Sequence, residues 1–439
     1  MSKILIKNAV ILPMTGRENL IEKGEIAIQE GKILHIGPTG SLTQDWQADE
    51  TIDATGQLAM PGFINCHTHA AMTLLRSYAD DLPLMEWLSE KIWPIEDQLT
   101  GEDVYWGTML SIAEMIKSGT TTFLDMYFFM DQVAKAVEDS GIRAVLSRGL
   151  IGFNPNAETA LIESRELVEQ YNGKADGRLS VVLGPHAPYT CPPDFLRKVV
   201  ALADELGVGI HIHVAETKTE VEGIAKDYGK TPTQHLNELG LLDGRRVIAA
   251  HCVHMTQEDL EIFQTKQVGV AHNPESNMKL ASGIAPVPKM LELGISVGLG
   301  TDGASSNNNL DMLQEMRSAA LLHKVNTGDP TVLPAHQAVE LATVNGARVL
   351  GLEQEVGVLK EGYKADLILI DLEQPHLYPR HDVVANVVYA AQAADVRTVI
   401  INGQTVMKDR NLLTMDEAKV LAEAQRCTEA LLARSQNKK

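Results

Sequence analysis

Cysteine is scarce: Cys66, Cys191, Cys252 and Cys427 are four residues in a chain of 439, widely spaced and never in a C-x-x-C pair. That spacing supplies neither a disulfide framework nor a thiolate zinc site, and it fits a reducing compartment. Long apolar runs are missing as well, and no uninterrupted stretch is long enough to cross a bilayer. The apolar opening MSKILIKNAVILPM is broken by Lys3 and Lys7, with no small-residue cleavage site behind it, so it does not read as a signal peptide. The expected location is the cytoplasm. Basic residues fall short of acidic ones, 38 Lys and Arg against 58 Asp and Glu, for a formal net charge of −20. A polyanion binder needs a basic face whose contacts release counterions, which excludes nucleic acid and anionic membrane surfaces as partners. Low-complexity tracts, solenoid repeats and flexible linkers are also lacking. What remains is a globular composition, 44% hydrophobic and 22% charged, ample for one large core and a smaller satellite.

The chain ends share one texture. ILIKNAVI and GEIAIQEGKILHIG alternate like strands, with Glu30 and Gly31 as a hairpin turn; KADLILIDL and VRTVIINGQTVM do the same near the other end, with Gly403 at the turn. Because chain ends commonly lie close together, residues 1–58 plus 355–410 are expected to build one small β-sandwich. Between them, in residues 59–354, eight short apolar segments recur: FINCHTH, TTTFLDMY, RAVLSRGL, SVVLGPHAP, GIHIHVAE, VIAAHCVHM, VGVAHNP and SVGLGTD. They alternate with stretches of helical periodicity such as GEDVYWGTMLSIAEMIKSG, a pattern that predicts an α/β chain with a (β/α)8 TIM-type barrel. A helix, MDEAKVLAEAQRCTEALLARS, is expected within 411–439.

Polar residues collect where the barrel reading puts strand C-termini, the end at which such barrels carry their sites. His67 and His69 follow the first segment, His186 the fourth, His213 and Glu216 the fifth, His251 the sixth and Asp302 the eighth. An H-x-H pair on a strand puts both imidazoles on one face, because side chains alternate with period two. His211 and His213 also share a face; His213 lies nearer the strand end and is the candidate ligand, while His211 is given a hydrogen-bonded place in the barrel interior. An isolated H-x-H is often structural, and a lone Asp after a strand is usually a turn or cap. Together, three histidines and Asp302 suit one divalent transition metal with room for water.

PGFINCHTH, HVAET, AAHCVHM, HNPESNMKL and GTDGASSNN, in this order, resemble the amidohydrolase superfamily, and more narrowly its 5-methylthioadenosine/S-adenosylhomocysteine deaminase group. The resemblance covers essentially the whole chain. It implies the same ligands, His67, His69, His213 and Asp302. Binuclear members bridge two metals through a carboxylated lysine after the fourth strand, where this chain reads GPHAPYT, so one metal ion is expected. Zinc is the first choice, and iron, manganese and nickel tolerate the same donors. The H-x-E and P-C-x-x-C signature of the cytidine-deaminase type is absent.

The resemblance also implies roles. Glu216 carries a proton from the attacking water to the ring nitrogen, His251 orients and polarises the nucleophile, and Asp302 accepts a proton as the tetrahedral intermediate collapses. His254, three residues beyond His251, reads as a loop residue. In LPLMEWLSEKIWPIEDQL, Glu96 corresponds to the glutamate that accepts the ribose hydroxyls, and Trp87 or Trp93 packs against the base or the thioether. Helix packing is the ordinary alternative for both tryptophans. His186 matches a purine-contacting position. Arg148 matches one near the ribose or amino-acid end, where it would bind a carboxylate bidentately or else serve as a structural ion-pair arginine. The implied reaction is deamination of 5'-methylthioadenosine, S-adenosylhomocysteine or adenosine by a homo-oligomer. Guanine or pterin deamination and triazine hydrolysis are the rivals, and Glu96 argues for a ribose. A catalytically dead scaffold would lack ligands or the shuttle carboxylate, and here every such position is filled.

Overall fold

The alternation at the two chain ends does become strands in the computed structural model, which describes residues 3–17, 19–43 and 45–436. Residues 1, 2, 18 and 44 of the expected N-terminal β segment, and 437–439 of the expected C-terminal segment, lie outside the described residues. The first strands are β1 (Ile4–Ile11), β2 (Ile21–Gln29), β3 (Lys32–Pro38), β4 (Glu50–Asp53) and β5 (Gln57–Pro61). The middle supplies β6 (Phe63–Thr68), β7 (Thr120–Tyr127), β8 (Arg143–Leu150), β9 (Leu179–Val181) and β10 (Gly184–Pro185). It continues with β11 (Ile210–Val214), β12 (Val247–His251), β13 (Gly269–His272) and β14 (Val297–Leu299). The last are β15 (Leu367–Asp371), β16 (Val396–Ile401), β17 (Gln404–Lys408) and β18 (Asn411–Leu412).

Both chain ends join one nine-stranded sheet, ordered β18-β17-β16-β15-β5-β1-β2-β3 with β4 also beside β1. The halves meet where β15 runs antiparallel to β5, Ile368 opposite Met60. Two hairpins share one turn chemistry: Glu30-Gly31 (φ 53° and 77°) and Asn402-Gly403 (φ 50° and 73°) put both central residues in the left-handed region, as tight two-residue hairpins require. These turns touch. A Cβ on Gly403 would come within 2.6 Å of the Gly31 Cα, so the sheet curls until its two hairpin tips meet.

All eight middle segments are parallel strands, the fourth split into β9 and β10, and nearly every residue in them is buried. Parallel strands covered on both faces read as continuous apolar runs for that reason. They form two arcs, β6-β7-β8-β10 with β9 beside β8, and β11-β12-β13-β14. At one seam Leu183 pairs parallel with Ile210. At the other the Asp302 N–H donates to the His67 carbonyl at 2.9 Å, and a Cβ on Gly300 would lie 2.8 Å from the His67 nitrogen, so only glycine allows this approach.

Helix Gly101–Lys117 starts on a capping box in which Thr100 and Asp103 exchange hydrogen bonds. The terminal helix Glu417–Gln436 packs against it, with Cys427 on Leu74. No helix among the described residues is long and apolar enough to cross a membrane.

One buried ion pair fastens β8 to the terminal sheet. Arg143 donates from Nε to Asp366 Oδ2 at 2.8 Å and from Nη2 to Asp366 Oδ1 at 3.2 Å, and Asp366 Oδ1 also accepts the Asn402 N–H at 2.7 Å. Asp366→Ala would strand the guanidinium in the core, and a loss of about 3–5 kcal/mol in denaturant unfolding is expected. Exchanging both partners for apolar residues should recover most of that loss. A drop below about 1 kcal/mol for the single variant would mean that water or another acceptor already serves Arg143.

Candidate active site

Four strands deliver side chains to one point. His67 and His69 come from the end of β6, His213 from β11 and His251 from β12; Asp302 stands just past β14. His67 Nε2 and His69 Nε2 each lie 3.4 Å from Asp302 Oδ1. Donors about 3.4 Å apart are what a tetrahedral ion with ligand bonds of about 2.0–2.1 Å produces. His67, His213 and His251 offer nitrogens within 4.8 Å of one another, as do the donors of His67, His69 and Asp302. His251 Nε2 stands 3.9 Å from Glu216 Oε2 and 4.0 Å from Asp302 Oδ2.

Each imidazole is held by its other nitrogen. Nδ1 of His69 meets the Met126 carbonyl at 2.6 Å, Nδ1 of His213 the His186 carbonyl at 2.7 Å, and Nδ1 of His251 the Asn277 Oδ1 at 2.8 Å. His67 Nδ1 lies 2.9 Å from His211 Nε2, whose own Nδ1 is 3.3 Å from Ser147 Oγ. Partners of this kind fix ring orientation and tautomer at metal centres. His67 Nε2 is buried, aimed at the common point and without a hydrogen-bond partner. The donor set fits a divalent cation: an unpaired buried imidazole nitrogen is costly unless something binds it.

The electrostatics agree. Burial pushes His67 down to about 4, and burial with neighbouring imidazoles holds His213 and His211 well below the usual histidine range. Asp302 is buried too, which opposes ionisation, but His67, His251 and His69 outweigh that and hold its carboxyl well down. Neutral imidazoles around an ionised carboxylate are the protonation states that ligate metals. Asp302 Oδ2 also accepts from Ser276 Oγ at 2.6 Å and Ser306 Oγ at 3.0 Å, and Oδ1 from the Gly303 N–H at 2.8 Å. Burial pushes Glu216 up against the opposing pull of His251, while Glu216 and Asp302 raise His251 despite its burial. Ala215, His251 and Asp302 hold left-handed φ values of 52°, 70° and 62°, the local strain that recurs at functional sites.

A cavity opens over this cluster and is lined by His69, His186, His213, Glu216, His251 and Asp302. Trp87, Trp93, Glu96 and Tyr127 line the same cavity. The segment carrying the tryptophans is helical with an irregular turn, Leu84–Glu86 and Trp93–Glu96 flanking a wider-wound Trp87–Ile92. Tyr127 Oη donates to Glu96 Oε1 at 2.7 Å, and burial pushes the Glu96 carboxyl up to about 7. His186 Nδ1 meets Thr190 Oγ1 at 3.0 Å, and burial takes its ring down to about 3.

The family model described as the amidohydrolase family matches residues 58–406. The chain belongs to the amidohydrolase family. It is 60% identical over 432 residues to the 5-methylthioadenosine/S-adenosylhomocysteine deaminase of Syntrophomonas wolfei subsp. wolfei, covering 98% of this chain and 100% of the relative. It is 52% identical over 436 residues to the 5'-deoxyadenosine deaminase of Methanosarcina mazei, 99% of each chain. Among solved structures, an adenosine deaminase from Xanthomonas campestris with bound zinc superposes with a TM-score of 0.94 at 36% identity, covering 98% of both chains.

In this amidohydrolase Arg148 stands apart from the other expected site residues. It lines an adjoining chamber that shares Trp93, Glu96 and Phe128 with the first; its Nε donates to Glu163 Oε2 at 2.9 Å and its guanidinium lies 5.1 Å from the Phe128 ring centre. His254 is a loop residue that meets the Ser282 carbonyl at 2.8 Å. His211 is interior, as expected, but it also props His67. Sequence reasoning missed Tyr127, Ser276, Ser306, Asn277 and Glu220. Ser276 and Asn277 belong to HNPESNMKL and Ser306 to GTDGASSNN, and the position of both motifs after strand ends was an available signal.

Proposed function

We propose that this amidohydrolase is a metal-dependent hydrolase of C–N bonds that exchanges the 6-amino group of an adenine nucleoside for oxygen and releases ammonia. The substrates are 5'-methylthioadenosine, giving 5'-methylthioinosine, and S-adenosylhomocysteine, giving S-inosylhomocysteine. The observation that carries this reading is one cavity lined both by a divalent-cation donor set and by the Glu96 carboxylate. The names of the full-length relatives at 60% and 52% identity support it. We further propose that the two arcs close as a (β/α)8 barrel over residues 59–354, with the curled terminal sheet as a satellite unit and helix Glu417–Gln436 as an appendage.

His67, His69, His213 and Asp302 would hold one divalent ion, zinc by preference with iron, manganese or nickel as substitutes. When bound, such an ion supplies a Lewis acid that lets water ionise near neutral pH. Glu216 takes a proton from the attacking water and passes it to the purine ring nitrogen. His251, held by Asn277, orients that water. Asp302 accepts the second proton as the tetrahedral carbon collapses and passes it to the amino group, which leaves as ammonia. His186 contacts the purine and Trp87 or Trp93 its flat face or the thioether, while Glu96 accepts the ribose hydroxyls. Arg148, in the adjoining chamber, faces the 5' substituent.

The test couples elemental analysis with ammonia release. One metal equivalent per chain is expected, with loss of turnover on chelation and recovery on adding zinc, and with the two thionucleosides turned over ahead of guanine, a pterin or a chlorotriazine. Two tightly held ions per chain, full turnover after complete metal removal, or preference for guanine, the pterin or the triazine would overturn the reading.

A further inference from the structure

The residue before Glu216 adopts a backbone conformation that a side chain disfavours, and something must hold it there. Ala215, at φ 52°, ends β11 and turns the chain so that Glu216 enters the cavity. A non-glycine residue is disfavoured in this region because its Cβ crowds the following carbonyl oxygen. Both amides of the turn are captured by one carboxylate: Glu220 Oε1 accepts the Ala215 N–H at 2.9 Å and Oε2 accepts the Glu216 N–H at 2.8 Å.

Glu220 is out of its ordinary role in doing so. It is the third residue of helix Lys218–Tyr228, whose N-cap Thr217 accepts the Glu220 N–H at 3.2 Å. A glutamate there usually reaches back to the N-cap amide and closes a capping box. Here it reaches past Thr217 to the two residues before it. The Ala215 carbonyl in turn accepts the N–H groups of Val253 at 3.1 Å and His254 at 2.9 Å, just beyond His251. The chain of contacts therefore runs from a buried carboxylate to the turn carrying Glu216 and on to the loop following His251. Glu220 itself does not line the cavity.

We infer that Glu220 is a positioning residue for the reaction, setting the Glu216 carboxylate through the Ala215 and Glu216 amides. This rests on the reading of Glu216 as the proton carrier. The carboxylate offers acceptors to both amides at once, whereas a glutamine of the same shape has one oxygen and turns an N–H₂ group toward the second. Misplacement of a reacting group by about 1 Å is enough to cost up to about 10²-fold in rate.

The experiment is a double-mutant cycle on the metal-loaded full chain, with 5'-methylthioadenosine as substrate, measuring kcat, KM, metal content and Tm. Glu220→Gln should lower kcat by about 10-fold or more and move KM less than about 2-fold, with one metal retained. Introduced into Glu216→Gln it should lower kcat less than about 2-fold further, because its effect passes through a group already disabled. A structural role alone would give the same loss in both backgrounds, and that outcome, or a change confined to KM, overturns the inference. If Glu220→Gln does not fold, Glu220→Asp, which keeps the charge but is one methylene too short, decides on the same criterion. Near-normal turnover in Glu216→Gln alone would overturn the reading of Glu216 and this inference with it. Loss in Glu216→Gln with additivity in the cycle overturns only the role of Glu220.

Discussion

Glu216→Gln is expected to lower kcat by at least about 10²-fold, with metal content and Tm unchanged, because the substitution removes a proton carrier and nothing else of similar size. Glu216 is buried in the cavity wall, 3.9 Å from His251, with its backbone N–H held by Glu220. A glutamine in that place keeps the volume and the backbone contacts but cannot take up a proton. Burial pushes the Glu216 carboxyl upward from its ordinary range, which brings its proton affinity closer to that of the groups between which it would carry a proton. His251→Asn should be severely impaired as well, since His251 is poised against both Glu216 and Asp302. Turnover within a few-fold of wild type in Glu216→Gln, with metal occupancy confirmed, would remove Glu216 from the reaction.

What could be read before folding follows from how local each signal is. His67 and His69 were legible because a strand has period two, and His213 could be chosen over His211 because distance from a strand end is a sequence quantity. The eight parallel strands were legible as apolar runs, and the hairpin turns as Glu30-Gly31 and Gly403. Contacts made only on closure were not. Tyr127 meets Glu96 across 31 residues and His67 meets His211 across 144, and neither pair shares an element whose spacing announces it. Glu220 was hidden for a different reason: a glutamate at that helical position has an ordinary capping role, and only the left-handed turn at Ala215 diverts it. Likewise the alternating strands foretold a small β unit from both chain ends. The pairing of β5 with β15, which makes it a single sheet, depends on register between segments some three hundred residues apart.

Wild-type enzyme is expected to turn over 5'-methylthioadenosine up to about 10⁴-fold better in kcat/KM than its 2',3'-dideoxy analogue, and Glu96→Ala should abolish most of that preference. The carboxylate is half-buried in the wall of the cavity that the metal donors also line, with one oxygen already satisfied by Tyr127 at 2.7 Å. A substrate lacking the hydroxyls leaves the remaining acceptor capacity unpaired in the bound complex, and such unpaired groups are what makes hydroxyl discrimination large. The contact is remote from the reacting carbon, so part of its energy positions the purine, and the analogue should lose kcat as well as affinity. Acidity adds a second, independent readout. Burial holds the Glu96 carboxyl up at about 7 against an ordinary 4.5, so it takes up a proton at a pH where a free glutamate stays ionised. The ionised form accepts both hydroxyls and the protonated form accepts less well, so the preference for the hydroxylated substrate should be full above about pH 7 and shrink as pH falls through that value. Because Tyr127 donates to the charged form and so lowers this pKa, Tyr127→Phe should move the transition to higher pH. Comparing the two substrates cancels the titration of the groups around the metal, which both share. Equal handling of the two substrates by wild type, or an undiminished preference in Glu96→Ala, would show that Glu96 is not the ribose anchor, and a ratio independent of pH from 5.5 to 8.5 would show that its carboxyl is not held up near 7.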